Sequence, residues 1–298
     1  MDTEKCKVLL RAVDTGSFTA AAEELGYTPS GVTHMMNALE EDLGIVLLRR
    51  SRSGVTLTEA GKELIGTIRR IVIEADRLEE EIGELHGLEK GHVALAAGGS
   101  MARFLLPQVI SRFHERYPKI LLEMHDDFAQ VRQMVAQRRI GLAFLSRMYY
   151  DMNFISLCRD DMLAIVPEGH PLAEKEKVSI RELAEYPYIG LPPDYERDVE
   201  QIILHSDVEL HPFLTSQDEQ TVIAMVREGL GFSIMAGMHI YYASEGIVGI
   251  PLDPPVYREV GIILPPSDSP SPAEMRFVEV AKEVVAEMIE DGIVEPLS

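Results

Sequence analysis

The chain has 298 residues, enough for two or three compact domains, and 46% of them are hydrophobic, as is ordinary for a globular protein. No run approaches the roughly 18 apolar residues that span a bilayer, and the acidic first residues are unlike a signal peptide, so we expect a cytoplasmic protein. The formal net charge of −21 argues against general nucleic-acid binding, because Lys and Arg supply most sequence-independent affinity for phosphates. Cys6 and Cys158 form no C-x-x-C pattern, which favours reduced structural thiols.

The N-terminal segment carries the pattern of three short helices. Apolar residues at helical spacing predict a first helix around Val8–Val13, and Ser17 is placed to cap a second helix over Phe18–Leu25. Gly26 predicts a turn after it. Thr28-Pro29 then indicates an N-cap followed by proline at the first position of a third helix.

The third helix is predicted to have one apolar face and one uncharged polar face. The inward positions are Val32, Met36, Leu39 and Leu43. The opposite, exposed positions are Ser30, Thr33, His34 and Asn37. The stretch Tyr27–Leu39 contains no acid, so this exposed face could approach DNA without charge repulsion.

A hairpin with a basic tip is predicted after the third helix. Two β-prone runs, Val46–Leu48 and Val55–Leu57, are joined by Arg49–Gly54, which holds three arginines and no acid. Three helices and this hairpin indicate a winged helix-turn-helix; the alternative is a helical subdomain with an incidental loop. The residues expected to contact DNA are Ser17, Thr28, Pro29, Ser30, Thr33, His34, Asn37, Arg50 and Arg52.

A long helix is predicted from the N-cap Thr58 to about Leu88. Its apolar positions alternate steps of four and three, as in a heptad seam: Leu64, Ile68, Ile71, Ala75, Leu78, Ile82 and Leu85. Because charged residues fill its other faces, we expect the helix to pair with a second copy of itself or with the body of the protein. A two-fold dimer would bind a pseudo-palindromic DNA site.

Strand and helix signals alternate after Gly91. The first series has strands at Val93–Ala97, Ile120–Met124 and Leu142–Leu145 and helices at Met101–Tyr117 and Val131–Arg138. The second has strands at Met162–Val166, Tyr188-Ile189, Pro212–Leu214 and Phe232–Met235 and helices at Val178–Glu185, Glu196–Leu204 and Glu219–Glu228. We therefore expect two parallel α/β lobes with a ligand cleft between them.

The tail helix, Pro270–Ile289, is predicted to return to the first lobe, so that the chain crosses between the lobes twice. The expected domains are a DNA-binding head at 1–60, a linker and dimerisation helix at 61–90 and an effector-binding domain at 91–298. Within the last, the first lobe is expected at about 91–161 and 268–298, and the second at about 162–267.

Four segments resemble LysR-type transcriptional regulators: Gly16–Leu64, Phe104–Ile120, Glu168–Ala173 and Met225–Met235. Together with the order of elements, the resemblance covers essentially the whole chain. It implies a homodimer or a dimer of dimers, a two-lobed sensor resembling periplasmic binding proteins, and a small effector that alters how the DNA-binding heads are set. RNA polymerase is a further partner that this family suggests.

Candidate effector contacts follow the predicted strands. Ser100 lies near the start of a helix, where backbone N–H groups favour an anion such as a carboxylate. The full set is Ser100, Met101, Ser146, Arg147, Thr215 and Ser216, of which Ser100, Ser146 and Thr215 also agree with family position. The alternatives are that Ser100 and Ser216 only cap helices, that Arg147 pairs with a surface acid and that Met101 belongs to the core.

Enzymatic signals are missing from the sequence. It contains no G-x-S-x-G, no Walker A motif and no H-E-x-x-H, and we expect neither a cofactor nor a metal. The rival interpretation is a solute-binding or enzymatic α/β protein with a helical N-terminal extension. The acid-free helix face and the arginine-rich hairpin favour a DNA-binding regulator instead.

Overall fold

The computed structural model describes residues 2–51, 54–85, 90–125, 131–136, 139–147, 153–192, 197–206, 208–264 and 270–297. The chain divides into two compact units, residues 1–90 and residues 91–298. Within the described residues, no helix combines the length and apolar character needed to cross a membrane.

The first unit begins with helices α1 (Thr3–Thr15), α2 (Phe18–Leu25) and α3 (Pro29–Leu43). The predicted caps are confirmed: Ser17 Oγ accepts from Ala20 N at 3.3 Å, and Thr28 Oγ1 accepts from Gly31 N at 3.1 Å. Gly26 ends α2 with a φ of 73°, a left-handed conformation that glycine adopts without a Cβ clash. These local signals fix the positions of α2 and α3.

The apolar face of α3 packs into the core of this unit as predicted. Val32, Met36 and Leu39 are buried there beside α1, and Leu43 packs against the same cluster. The opposite face of α3 is therefore left toward solvent.

The hairpin pairs β1 (Leu48–Ser51) with β2 (Gly54–Leu57) in antiparallel register. The expectation of a strand from Val46 and a tip from Arg49 was wrong, because Arg49 and Arg50 lie within β1 and Val46 precedes it and is exposed. Ser51 pairs with Gly54, which leaves residues 52 and 53 as the connection. Arg52 lies outside the described residues.

Helix α4 (Glu59–Leu85) follows the cap Thr58, whose Oγ1 accepts from Gly61 N at 2.9 Å. Its N-terminal half packs on the core of the first unit through Ile68 and Val72, with Leu64 and Ile65 beside them. Of the predicted seam, Leu64 and Ile68 therefore contact the core of the first unit and are not free to contact a second copy of the helix.

Two apolar positions farther along α4 lie in solvent. Leu78 is 57% exposed and Ile82 is 45% exposed. The backbone of Leu85 is described, and its side chain lies outside what the structure describes. The seam residues that remain for a partner are consequently those in the C-terminal half of the helix.

The second unit has a seven-stranded sheet in which β6 is the longest strand. Its first elements are β3 (Gly91–Ala97), α5 (Gly99–Phe104), α6 (Leu106–Arg116), β4 (Ile120–His125), α7 (Val131–Ala136), β5 (Leu142–Ser146) and β6 (Asn153–Pro167). They are followed by α8 (Ile180–Leu183), β7 (Ile189–Gly190), α9 (Arg197–Leu204), β8 (Leu214–Thr215), α10 (Glu219–Arg227) and β9 (Ser233–Ala236). The last are α11 (Gly237–Ile240), β10 (Ile247–Pro251), β11 (Tyr257–Leu264) and α12 (Pro272–Glu290).

The sheet is mixed, so the expectation of purely parallel lobes was wrong. Strands β4, β3 and β5 are parallel neighbours, whereas β11 pairs antiparallel with both β5 and β6. The far half of β6 pairs antiparallel with β10 and β9. Strand β6 therefore runs through both lobes and joins them.

Each lobe has its own apolar core. The core of the first lobe includes Phe113, Phe144 and Phe277, the last from α12. The core of the second includes Phe232 and Ile250. Because Val260 and Ile262 of β11 belong to the first core, the second crossover precedes Tyr257, earlier than the expected boundary near 267.

One expected helix is two helices in the structure. The segment Met101–Tyr117 divides at Leu105 into α5 and α6, with Pro107 in the first turn of α6. Proline is favoured at the start of a helix because it lacks the N–H that would go unpaired there. The division leaves Ser100 in the short helix that directly follows β3.

Candidate functional site

The exposed face of α3 presents uncharged polar groups. Thr28, Pro29, Ser30, His34 and Asn37 are exposed. Thr33 is half-buried, and its Oγ1 donates to the carbonyl of Pro29 at 2.9 Å. Ser17 is half-buried and caps α2. The face predicted to read DNA is therefore accessible to solvent, although the side chains of Ser17, Thr28 and Thr33 also form hydrogen bonds with the helix backbone.

Arg50 is held against α3 rather than extended into solvent. Its Nη2 donates to Asn37 Oδ1 at 2.6 Å, and its guanidinium carbon lies 5.1 Å from the ring centre of Phe18. Cation and ring attract each other at this distance. Arg50 thus links the wing to the recognition face, while Arg49 is exposed on the same strand.

Glu40 joins the wing to α3 and was missed by sequence reasoning. Its Oε1 accepts from Leu47 N at 2.7 Å and from Leu48 N at 2.9 Å. Its Oε2 lies 3.4 Å from Arg50 Nη2. Both leucines are fully or almost fully buried, so this carboxylate satisfies two backbone donors that solvent hardly reaches. No local pattern in the sequence marks an acid that acts on residues seven and eight positions away.

In the second unit, Ser100 is buried and bonded to an arginine. Its Oγ accepts from Arg258 Nη2 at 2.6 Å. Arg258 also donates to Asp160 Oδ2, from Nη2 at 2.8 Å and from Nε at 3.0 Å. Asp160 Oδ1 accepts from the backbone N of Met238 at 3.1 Å. Arg258 and Asp160 are almost fully buried, so removing either side chain would leave the other as an uncompensated buried charge.

Ser146, at the end of β5, donates a hydrogen bond across the lobes. Its Oγ lies 3.1 Å from Oδ1 of Asp198, which α9 of the second lobe supplies. Burial raises the pKa of Asp198, and the positive charge of Arg258 opposes that shift. We call Ser100, Ser146, Asp160, Asp198 and Arg258 the interlobe cluster. A second link between the lobes is the ion pair of Arg103 and Glu219, with 3.0 Å between Nη2 and Oε2.

Three predicted effector residues have other contacts. Met101 lies in the core of the first lobe, which favours its core alternative. Arg147 Nη1 lies 2.9 Å from Glu259 Oε2, which favours the surface-pair alternative. Ser216 Oγ accepts from Asp218 N at 3.2 Å, and Asp218 itself caps α10. Thr215 is exposed at the end of β8 and remains a candidate.

His239 is a buried titratable group near the interlobe cluster. Burial lowers its pKa well below the usual value, and the charges of Arg258 and Arg103 lower the pKa further. Its Nδ1 has no hydrogen-bond partner among the described residues. The ring is therefore neutral in the folded protein near pH 7.

No group of three or more His, Cys, Asp or Glu side chains is arranged to hold a metal ion in the described part of the chain. The two cysteines are buried, and burial raises the pKa of Cys158 to about 12. A thiol with so high a pKa is a poor nucleophile near neutral pH.

Comparison with known proteins identifies both units. Residues 3–62 match the family described as bacterial regulatory helix-turn-helix protein, lysR family, and residues 86–286 match the LysR substrate binding domain. The uncharacterized HTH-type transcriptional regulator YvbU of Bacillus subtilis (strain 168) is 31% identical over 288 residues, which are 95% of this chain and 99% of the relative.

Solved structures share the fold. A full-length variant of OxyR from Pseudomonas aeruginosa superimposes with a TM-score of 0.74 at 20% identity, covering 96% of this chain and 94% of that chain. The effector binding domain of QuiR in complex with shikimate has a TM-score of 0.59 at 16% identity, covering 66% of this chain and 98% of that chain.

Proposed function

Because the chain belongs to the LysR family of transcriptional regulators, which are not enzymes, we propose that α3 and the wing read its operator while the interlobe cluster senses a small effector. The observation that carries the DNA-binding part is the acid-free face of α3 beside Arg49 and Arg50. Backbone phosphates attract cations and repel acids, so a face without acids beside two arginines suits the major groove.

The division of labour on this surface follows from side-chain chemistry. His34 and Asn37 are exposed hydrogen-bonding groups, suited to base edges. Arg49 and Arg50 are suited to phosphates, as is Arg52 from its place in the sequence. Replacing one arginine should weaken binding to all DNA sequences, whereas replacing a base-reading residue should reduce discrimination between sequences.

A salt titration separates these roles. Fluorescence anisotropy with DNA from upstream of the protein's own coding region would compare the full chain with Arg49→Ala and Asn37→Ala. Arg49→Ala should lower the slope of log K against log salt by about 1. Asn37→Ala should narrow the gap between specific and random DNA, and because Asn37 also accepts from Arg50, it should change the slope by less than Arg49→Ala does. The matched control is Lys119→Ala, on the exposed surface of the second unit. Wild-type slope and affinity in Arg49→Ala would exclude a DNA contact by Arg49.

We infer assembly through the C-terminal half of α4. Leu78 and Ile82 are spaced by four residues and are largely exposed, and a helix of this length gains stability when such a stripe is covered. LysR regulators form oligomers, and here we propose a dimer or a dimer of dimers that binds a pseudo-palindromic site. In sedimentation, Leu78→Asp should shift the protein to smaller species, whereas Glu79→Gln should not. Unchanged sedimentation of Leu78→Asp would refute this interface.

The effector is proposed to bind between the lobes, near Ser100 and Ser146 and toward Thr215. Strands β3 and β5 end beside these serines, and ligands of α/β proteins bind at such carboxyl ends. Arg258 and Arg103 lie beside these serines, each paired with a carboxylate that a ligand carboxylate could replace, and the fold relative QuiR is solved with shikimate. We therefore expect a small carboxylate.

The experiment measures footprints on the operator with a panel of small carboxylates that includes shikimate. An active compound should lose its effect on Ser146→Ala, which removes the donor to Asp198, and retain it on Ser244→Ala, an exposed serine of the second lobe. Equal responses in the two variants would remove Ser146 from the effector site. The sensing is proposed to occur in the cytoplasm, where the regulator reaches both DNA and RNA polymerase.

A further inference from the structure

Asn37, on the exposed face of α3, has one of the two polar atoms of its side chain already engaged. Its Oδ1 accepts a hydrogen bond from Arg50 Nη2 at 2.6 Å. A guanidinium group has N–H donors and no acceptor, so it can pair only with the oxygen of the amide. The Asn37 side chain is exposed, and its nitrogen, Nδ2, lies on the other arm of the planar amide. The contact with Arg50 therefore leaves the amide nitrogen as the group that Asn37 offers to DNA.

Arg50 is itself held in place by two further contacts. Its guanidinium carbon lies 5.1 Å from the ring centre of Phe18 in α2, and its Nη2 lies 3.4 Å from Oε2 of Glu40 in α3. The same Glu40 carboxylate accepts from two backbone N–H groups at the start of the wing. Because α2, α3 and the wing all contribute, the orientation of the Asn37 amide is set before DNA binds.

The bases differ in what they present to an amide oriented in this way. An asparagine with both polar atoms free reads adenine, because it donates to N7 and accepts from the N6 amino group. Guanine presents two acceptors at the same edge, N7 and O6, and no donor. At Asn37, an adenine amino group would have to approach an oxygen that already binds a cation, so positively polarised hydrogens of two groups would meet at one atom. Guanine acceptors are attracted both by the amide N–H groups and by the nearby positive charge.

We propose that Asn37, oriented by Arg50, selects a guanine in each half-site of the operator rather than an adenine. The inference rests on the proposed reading of DNA by α3, and it adds the base that one residue of that face recognises. The bond that carries the selection joins Asn37 Nδ2 to N7 or O6 of the guanine. Arg50 acts in this selection as a positioning residue, in addition to any contact that it makes with phosphates.

Anisotropy titrations of the full-length protein test the choice of base on DNA from upstream of its own coding region. Each base pair of the half-site is changed in turn, in both half-sites together, and the Asn37 position is the one that Asn37→Ala no longer distinguishes. There the wild type should bind guanine more tightly than adenine by roughly fivefold or more. An adenine preference, or no position that depends on Asn37, would overturn the proposal and leave DNA binding by the head in place. Absence of specific binding by the wild type would overturn the proposed function as well.

Variants separate orientation from charge. Arg50→Ala frees the amide oxygen, so the preference for guanine over adenine should disappear or reverse. Arg49→Ala is the matched control, because it removes the same charge from the same strand; it should weaken binding to every duplex and keep the guanine preference. Asn37→Asp retains an acceptor for Arg50 and lacks a donor, so it should lose the guanine preference, and it provides the test if Arg50→Ala fails to fold. A wild-type guanine preference in Asn37→Asp or in folded Arg50→Ala would contradict the assignment.

Discussion

Replacing Glu40 by alanine should loosen the wing from α3. The change removes the acceptor for Leu47 N and Leu48 N, at 2.7 and 2.9 Å, and leaves two backbone donors without a partner. Hydrogen bonds to charged groups contribute about 1.5–3 kcal/mol each, and losses at adjacent groups are not additive, so we expect a cost of about 3 kcal/mol. The contact with Arg50 adds little, because that arginine is partly exposed.

Hydrogen exchange of the full-length protein measures this opening directly. Peptides over residues 46–58 contain the amide of Thr58, which donates to Leu47 O at 2.9 Å and exchanges when the wing detaches. A loss of about 3 kcal/mol corresponds to exchange faster by roughly 100-fold. Glu40→Gln keeps one carbonyl acceptor without its charge, and should cost only about 1 kcal/mol.

The matched control is Glu41→Ala, the exposed neighbour on the same helix. Both substitutions remove one negative charge from α3, so general electrostatic effects are common to them. If residues 46–58 exchange no faster in Glu40→Ala than in Glu41→Ala, the carboxylate does not hold the wing.

Three further predictions concern stability and reactivity. Gly61→Ala should lower the free energy of unfolding by about 1–3 kcal/mol, because a Cβ there would lie 2.3 Å from Leu47 O. On the same helix, a Cβ at Gly66 meets no atom within 4 Å, so Gly66→Ala should be neutral or stabilising in a thermal melt. Equal melting temperatures for the two variants would refute the clash. His239 is neutral in the folded protein and takes up a proton on unfolding below its ordinary pKa near 6.5, so the free energy of unfolding should fall by as much as ~1.4 kcal/mol per pH unit as the pH drops from 6.5. In urea titrations at several pH values, His239→Gln should remove this dependence, and His114→Gln, at an exposed position, is the control. The same pH dependence in wild type and His239→Gln would contradict the assignment. Cys158 should react with iodoacetamide at pH 8 only after urea unfolds the chain, because its thiol is buried and has a raised pKa. Mass spectrometry measures the labelling. Rapid labelling of Cys158 in the native protein would show that the thiol is not buried.

Local signals account for what the sequence predicted well. Helix α2 begins and ends at the predicted residues because Ser17 and Gly26 act within one turn of its ends. The inward face of α3 follows from its periodicity alone. Such features need no knowledge of the rest of the chain.

Long-range pairing accounts for what was missed. Strand β11 begins with Tyr257-Arg258-Glu259, which breaks an apolar pattern, and it is stabilised by pairing with β5 and β6, which lie far earlier in the chain. Arg258 is buried only because Asp160 lies beside it in the folded chain. The spacing of residues in the sequence indicates neither the strand pairing of β11 nor the ion pair of Arg258 with Asp160.

The candidate sites likewise include residues that local signals predict and residues that depend on long-range contacts. Exposure of His34 and Asn37 could be predicted from one helix, whereas the bond between Ser146 and Asp198 requires both lobes. Met101 shows the limit of positional reasoning, since a residue adjacent to Ser100 on α5 lies in the core. Neighbours in sequence need not share a surface.

Hydroxyl-radical footprinting on the DNA upstream of the protein's own coding region tests DNA recognition through α3 most directly. We predict two protected segments related by two-fold symmetry and separated by whole helical turns, with protection lost in the double variant His34→Ala/Asn37→Ala while its second unit stays folded. Protection that persists unchanged in that variant would contradict recognition through α3.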